Sequence, residues 1–146
     1  MDTLLIGAIL FFTSCDKESQ KEIDDELIVN YIANNDIDAT KTDSGLYYQI
    51  LVEGDGDSPD ITNDVEITYT GRLLDGTVFD TNENSDPNVF PFYKLILGWQ
   101  EGLQLMKEGG EALLIIPSHL GYGSQAVSGI PANSVLVFNV ELLSVQ

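Results

Sequence analysis

Apolar and polar side chains alternate along several stretches of the chain, which is typical of strands that bury one face. Residues 65–70 read V-E-I-T-Y-T, and residues 135–143 read V-L-V-F-N-V-E-L-L. Residues 46–52 and 112–116 are rich in the apolar side chains that strands favour. The dipeptide at residues 75–76, Asp-Gly, predicts a tight hairpin turn. These stretches predict a sheet of strands that are mostly antiparallel.

Two other stretches have helical periodicity. Trp99, Leu103 and Met106 lie at i, i+4 and i+7, which predicts a short helix that the glycine pair at residues 109–110 ends. A second helix is predicted over residues 22–33, with an apolar face formed by Ile23, Leu27, Ile28, Tyr31 and Ile32. Because no strand-helix-strand alternation occurs, we predict an α+β fold in which a twisted antiparallel β-sheet wraps around one short α-helix.

The N-terminal stretch differs in composition from the rest of the chain. Residues 4–12 read L-L-I-G-A-I-L-F-F, a run too short to span a bilayer as a helix but of the length of a secretory signal core. The residues Thr-Ser before Cys15 resemble a bacterial lipobox. That resemblance implies an acylated Cys15 that anchors the protein to a lipid membrane. The alternative is a buried apolar strand with a free thiol.

Three regions are predicted from these patterns. Residues 1–14 are interpreted as a lipoprotein signal peptide, residues 15–43 as an acidic tether with a short amphipathic helix, and residues 44–146 as the folded domain. Two interpretations of the tether helix stay open: it caps the domain, or it dimerises the protein.

The composition excludes several classes of function. The chain has 146 residues and a formal net charge of −18, from 24 Asp and Glu against 6 Lys and Arg, so nucleic acid is not expected as a partner. His119 is the single histidine, predicted in a surface loop, and Cys15 is the single cysteine, so nucleophilic triads and zinc clusters are poorly supported. The acidic residues 53–60 are interpreted as a turn, because they lack the spacing of a calcium loop. Neither a metal nor a cofactor is predicted.

Five motifs follow one another in the second half of the chain: V-E-I-T-Y-T-G at 65–71, D-G-T-V-F-D at 75–80, G-W-Q-E-G-L at 98–103, G-Y-G at 121–123 and I-P-A-N-S-V-L-V-F-N-V-E-L-L at 130–143. In them aromatic residues end apolar runs beside a glycine or a polar residue, as an apolar pocket with a few polar groups requires. Their order, residue types and spacing resemble the FKBP-type peptidyl-prolyl cis-trans isomerases, in particular the exported bacterial lipoprotein branch.

The resemblance implies a set of site residues. The implied catalytic residues are Tyr69, Phe79, Asp80, Trp99, Tyr122 and Phe138, and the implied substrate contacts are Phe90, Leu95, Ile96 and Ile130. Within this set Trp99 forms the floor of a proline slot, the backbone N–H of Ile96 and the hydroxyl of Tyr122 donate to the substrate, and Asp80 supplies the polar edge. Rotation about a prolyl amide needs no nucleophile, since it requires only that the twisted amide be bound better than the planar one.

The chain departs from the better-known family members at two points. Asn88 follows Pro87 where those members have a second pocket aromatic, so one wall is either open or filled by Phe90. No cation stands in residues 81–89, where those members have an arginine that pairs with the pocket aspartate. We therefore expect hydroxyl groups to orient Asp80.

The expected function is that of a peptidyl-prolyl cis-trans isomerase that assists the folding of exported proteins. Its expected partners are proline-containing unfolded or exported polypeptides and FKBP-class macrolides, and its expected place is the bacterial cell envelope, held by lipid and facing the periplasm or the exterior. The alternative is a peptide-binding or chaperone module on the same fold with little or no catalysis.

Overall fold

The computed structural model describes residues 19–146, so the apolar run and Cys15 lie outside the described residues. The described chain forms two α-helices and seven strands, with short 3-10 turns at Phe92–Lys94 and Ser118–Leu120. The elements are α1 (Gln20–Asn34), β1 (Thr40–Lys41), β2 (Tyr47–Val52), β3 (Asp64–Arg72), β4 (Val78–Thr81), β5 (Asn88–Pro91), α2 (Leu97–Gln104), β6 (Glu111–Ile116) and β7 (Leu136–Val145). No helix within residues 19–146 is both long and apolar enough to cross a membrane.

The seven strands form one antiparallel sheet in the order β1-β2-β6-β7-β3-β4, with β5 also paired to β3. Strand β3 is the centre of this arrangement. One edge of β3 pairs with β7 along its length, while the other edge pairs first with β5 and then with β4. The α+β fold and the predicted strands are confirmed, with strand ends that differ from the prediction by at most two residues.

The main core lies between α2 and one face of the sheet. Val65, Ile67 and Tyr69 of β3 point into it, and so do the alternating apolar residues of β7. Helix α2 approaches the sheet closely at two glycines. A Cβ on Gly98 would lie 2.5 Å from Cγ2 of Ile116, and a Cβ on Gly102 would lie 2.7 Å from Cδ1 of Leu114. The glycines in G-W-Q-E-G-L therefore set the distance between the helix and the sheet.

Helix α1 packs against the opposite face of the sheet. Ser19 caps its first turn in a capping box with Glu22. Fully buried Ile28 lies in a second cluster with Tyr47, Leu113, Ile115, Val135 and Val137. The predicted apolar face is only partly correct, because Ile23 and Leu27 are 36% and 44% exposed. The face of α1 that contacts the sheet includes the buried Asp24 as well as Ile28, so it is rotated about the helix axis relative to the face predicted from the apolar residues alone.

The end of α2 also differs from the prediction. The helix ends at Gln104, five residues before the glycine pair, because Leu105 and Met106 donate to Gly102 and Leu103 in the tighter i→i−3 pattern. Met106 stays buried although it lies beyond the helix. The glycines at 109–110 instead form the turn that enters β6.

Adding a side chain at Gly98 tests whether the fold depends on the close contact between α2 and the sheet. We expect Gly98→Ala to lower the free energy of unfolding by about 1–2 kcal/mol, because the clash with Ile116 outweighs the helix propensity that alanine adds. Urea denaturation measures the change. Gln104→Ala in the same helix, at an exposed position, is the control and should stay within about 0.5 kcal/mol of the original chain. Equal stability of both variants would show that α2 does not need its close approach.

Candidate active site

Five aromatic rings pack edge to face where α2 crosses β3 and β7. The ring centroid of Trp99 lies 5.0 Å from that of Tyr69 and 5.1 Å from that of Phe138, with interplanar angles of 80° and 83°. The ring of Phe90, on β5, has its centroid 6.3 Å from that of Trp99. The ring of Phe79, on β4, has its centroid 5.5 Å from that of Phe138. Edge-to-face pairs at these distances stabilise one another beyond their burial. Four different strands and one helix therefore meet in a single aromatic cluster.

The rings line a cavity of about 310 Å³ at the surface. Its walls are formed by Tyr69, Phe79, Asp80, Phe90, Lys94, Leu95, Ile96, Trp99, Tyr122 and Phe138. The cavity lining is mostly apolar, with a carboxylate, an ammonium group and two phenolic hydroxyls among it. A cavity of this size and lining accommodates a small apolar group and fixes its polar neighbours.

Nine of the ten residues implied by the resemblance line this cavity. Phe90 supplies the wall that Asn88 leaves without an aromatic ring, since it packs on both Tyr69 and Trp99. Ile130 is the exception. It is buried in the core and is not part of the cavity lining, so its contact with a ligand is not supported by this geometry.

A glycine makes room for the aromatic pair at the back of the cavity. A Cβ on Gly71 would lie 2.6 Å from both Cε1 of Phe138 and Cζ of Phe79. A glycine within a strand often marks a close approach, so the last residue of V-E-I-T-Y-T-G carried a signal for this role. This role of Gly71 was not predicted from the sequence.

Asp80 is oriented by a hydroxyl group, as expected. The Tyr69 hydroxyl donates to Oδ2 of Asp80 at 2.6 Å. Burial of the ring, the hydrogen bond to Asp80 and the charge of that carboxylate together raise the pKa of Tyr69 far above its ordinary value. Tyr69 is thus held as a neutral donor, and Asp80 forms no salt bridge within residues 19–146.

Asn82 was not predicted as a functional residue, although its side chain is hydrogen-bonded to β3 beneath the site. It is 4% exposed and lies between the stretches of β3 that pair with β5 and β4. Its side-chain oxygen accepts from the backbone N–H of Tyr69 at 2.8 Å, and its amide nitrogen donates to the carbonyl of Ile67 at 2.8 Å. Asn82 therefore completes the hydrogen bonds of β3 where neither strand reaches. Loop asparagines are common, so composition alone does not single it out.

The segment before α2 lines the cavity and contains a backbone N–H group without an acceptor in the described chain. The carbonyl of Ile96 accepts from the N–H groups of Trp99 and Gln100, whereas its own N–H has no acceptor within residues 19–146. The side chain of Gln100 donates to the carbonyl of Leu95 at 2.8 Å and to that of Tyr93 at 3.2 Å, which fixes this segment. The indole N–H of Trp99 is also buried without a partner in the described chain.

Lys94 is the one residue of the cavity lining that was not predicted from the sequence. Its side chain is exposed, and its ammonium group lies 5.8 Å from the ring centroid of Tyr93. Lys94 and Asp80 are the two charged residues of the cavity lining, one positive and one negative. A lone lysine in a loop has no pattern that predicts such a position.

His119 lies apart from the cavity lining. It belongs to the 3-10 turn Ser118–Leu120, is half-buried, and its Nε2 lies 2.8 Å from the carbonyl oxygen of Ser44. The surface-loop prediction is correct in location but missed this contact. A larger cavity of about 540 Å³ lies on the other face of the sheet, lined by several polar and acidic side chains such as Glu111 and Glu141. It lacks the aromatic surface that an apolar ligand needs.

Sequence comparison identifies a family with this arrangement. The profile of the FKBP-type peptidyl-prolyl cis-trans isomerases matches residues 56–143. The chain is 42% identical over 130 residues to the FKBP-type peptidyl-prolyl cis-trans isomerase FkpA of Aeromonas hydrophila, which covers 88% of this chain and 47% of that protein. It is 45% identical over 108 residues to FkpA of Escherichia coli K12, covering 73% of this chain and 40% of the relative. The chain thus spans about half the length of the curated relatives it matches.

Solved structures share the fold. The crystal structure of FkpA from Escherichia coli superposes with a TM-score of 0.77 and 37% identity, over 83% of this chain and 58% of that one. A peptidyl-prolyl cis-trans isomerase from Pseudomonas syringae superposes with a TM-score of 0.73 and 30% identity, over 88% of this chain and 98% of that one.

The Tyr69–Asp80 pair predicts an unusual alkaline titration. Because the pKa of Tyr69 is raised on folding, its stabilising effect is present below the ordinary tyrosine pKa of about 10 and is lost only as pH rises above it. We expect Tyr69→Phe to leave the phenolate absorbance of the folded protein unchanged up to about pH 11. Asp80→Asn should lower the pKa of Tyr69, so that phenolate absorbance appears at lower pH. A Tyr69→Phe variant that loses absorbance near pH 10 would contradict the assigned environment.

Proposed function

Because the chain belongs to the FKBP-type peptidyl-prolyl cis-trans isomerase family, we propose that it accelerates the cis–trans rotation of prolyl peptide bonds. The observation that carries this proposal is the aromatic cavity with Trp99 at its floor. The proposed substrates are proline-containing segments of unfolded or exported polypeptides.

The cavity suits the physical requirement of the reaction. Rotation crosses a barrier of about 18–20 kcal/mol, because the amide loses its resonance when it twists. The planar amide is the more polar form, and water stabilises it by hydrogen bonds. An apolar cup that removes this water disfavours the planar amide relative to the twisted one, which is differential binding of the transition state. Lowering the barrier by about 4 kcal/mol accelerates rotation about a thousandfold.

The polar groups around the cup have separate proposed roles. The free N–H of Ile96 holds a substrate carbonyl, and the Tyr122 hydroxyl donates to the substrate backbone from another loop of the cavity wall. Asp80, held by Tyr69, places a negative charge beside the rotating amide. Proline itself packs on Trp99, between Tyr69 and Phe138. Phe79, Phe90 and Leu95 complete the apolar wall, and Ile130 supports it from the core.

A second candidate is a peptide-binding or chaperone module with little catalysis. Exposed apolar side chains favour it, because Tyr93 and Leu97 next to the cavity lining are 60% and 57% exposed. Both candidates use the same cavity. They differ in whether binding of a proline peptide is accompanied by faster rotation, and the retained Tyr69–Asp80 pair favours catalysis.

The location of the protein is also proposed. The lipobox-like Thr-Ser-Cys15 after an apolar run supports export and acylation, which would hold the isomerase unit, residues 44–146, at the bacterial cell envelope. Residues 15–43 are then the link from the anchor to that unit. The aromatic cup also supports binding of FKBP-class macrolides, whose apolar rings match its lining.

Two substitutions separate binding from rotation. We expect Trp99→Leu to weaken binding of a Leu-Pro peptide at least about tenfold, because the floor of the slot is lost. Asp80→Ala should instead reduce kcat about tenfold with a smaller change in KM, because the carboxylate acts mainly on the twisted amide. Peptide binding is measured by calorimetry and rotation by a protease-coupled assay on the purified protein.

Asp86→Ala is the matched control, since Asp86 is an exposed acid in the loop after β4 and does not line the cavity. Urea midpoints of all variants show whether each still folds. Binding by folded Trp99→Leu that equals the original would exclude the assigned slot. Equal losses in kcat and in binding for Asp80→Ala would make Asp80 a substrate-positioning residue, and bound peptide without acceleration in the original chain would favour the chaperone module.

The anchor has its own test. We expect the full chain expressed in a bacterium to incorporate labelled palmitate and to remain with the membrane fraction, because an acyl chain inserts into the bilayer. Cys15→Ser should abolish both the label and the membrane association. Label or membrane association that survives in Cys15→Ser would contradict the proposed lipobox.

A further inference from the structure

Asp24 of α1 is buried without being part of the cavity. Its side chain is 0% exposed, and it is the only acidic residue that is fully buried within residues 19–146. A carboxylate taken out of water is strongly destabilising unless hydrogen bonds replace its hydration. Its partners therefore indicate what its burial achieves.

Two of the three hydrogen-bond donors to Asp24 belong to Ser118, which is far away in the sequence. Oδ2 of Asp24 accepts from the backbone N–H of Ser118 at 2.8 Å and from the Ser118 hydroxyl through a short hydrogen bond. Oδ1 accepts from the side chain of Gln20 at 2.8 Å. Ser118 is itself 2% exposed, so this contact is closed to water. Hydrogen bonds to a charged acceptor are stronger than neutral ones.

Ser118 is the base of the turn that carries Tyr122. Its carbonyl accepts from the N–H of Gly121 at 3.0 Å and from the N–H of Gly123 at 2.8 Å. Those two residues flank Tyr122 in the chain, so both backbone neighbours of the tyrosine are tied to the same serine. Asp24 in turn holds the N–H and the hydroxyl of that serine.

Tyr122 depends on this backbone because its side chain is poorly held. The ring is 41% exposed, and its hydroxyl has no hydrogen-bond partner within the described residues. It lines the same cavity as Ile96. The placement of its hydroxyl at the cavity is therefore set by the turn 118–123.

We propose that Asp24 is a positioning residue for catalysis, which acts through Ser118 to fix Tyr122 at the cavity. This inference rests on the proposed isomerase function. It makes α1 a working part of the isomerase unit, held by Ile28 on the sheet and by Asp24 on the turn. An isomerase unit that begins after α1 lacks this contact, so the predicted division between residues 43 and 44 separates Asp24 from the turn it holds.

The test compares neighbouring isosteric substitutions in the full chain. Asp24→Asn removes the negative charge that the Ser118 donors face, and the single amide oxygen of asparagine cannot accept from Ser118 and from Gln20 at the same time. Asp25→Asn is the matched control, because Asp25 is hydrogen-bonded as well, to Tyr47 at 2.8 Å and to Lys41 at 2.9 Å, yet has no bond to the turn. We expect kcat/KM for a Leu-Pro peptide to fall about tenfold in Asp24→Asn and to change less than about twofold in Asp25→Asn.

A double-mutant cycle with Tyr122→Phe distinguishes positioning from general weakening of the fold. If Asp24 acts through Tyr122, the tenfold loss should shrink to about twofold or less when the Tyr122 hydroxyl is already absent. Loss of stability alone would reduce kcat/KM by the same factor in both backgrounds, and that additive result would overturn the proposal. Unchanged kcat/KM in folded Asp24→Asn would overturn it as well.

Backbone amide NMR signals of Gly121 and Gly123 give a readout that does not need activity. They should move in Asp24→Asn and stay in place in Asp25→Asn, because only Asp24 holds Ser118. If the original chain shows no isomerase activity, the proposed function fails, and these signals still test the link between α1 and the turn. Unmoved signals in Asp24→Asn would refute that link whatever the activity.

Discussion

The packing of Tyr69 and Phe138 edge to face on Trp99 is the interaction on which the rest of the structure depends. These three side chains come from β3, β7 and α2, and their centroids lie about 5–6 Å apart. They join the helix to the two most extensively paired strands of the sheet. The same rings form the floor and walls of the cavity. The core and the binding surface are therefore one structure, and their rigidity comes from the same contacts.

Several hydrogen bonds fix the backbone and the side chains around this aromatic cup. Asn82 supplies the hydrogen bonds that β3 lacks between β5 and β4, and the Tyr69 hydroxyl orients Asp80 by a hydrogen bond. On the far side, Asp24 reaches from α1 to the turn that carries Tyr122. A chain with a net charge of −18 thus places two of its carboxylates where hydrogen bonds, rather than salt bridges, hold them.

Much of the fold and most of the site could be predicted from the sequence. Alternation identified β3 and β7 because each buries one regular face, and the ordered aromatic motifs identified nine of the cavity residues. The apolar face of α1 was predicted only in part, because the buried Asp24 does not fit the apolar periodicity and its partner Ser118 lies far away in the sequence. Asn82, Lys94 and the role of Gly71 in making room for Phe79 and Phe138 were missed for a similar reason. Their roles come from strand register and loop path, which local patterns do not contain. Ile130 matched a motif, but its side chain is buried in the core instead of lining the cavity.

Exchange NMR shows whether a prolyl peptide bond isomerises faster when its proline is held on Trp99 in the aromatic cup. A Leu-Pro peptide is observed with a small amount of the purified protein, with and without an FKBP-class macrolide. We expect exchange peaks between the cis and trans forms of the peptide, and we expect these peaks to vanish when the macrolide fills the cup. If the macrolide displaces the peptide from Trp99 but the exchange peaks remain, the cup is not where the prolyl bond rotates. A peptide that binds the protein without any exchange would also contradict catalysis in the cup.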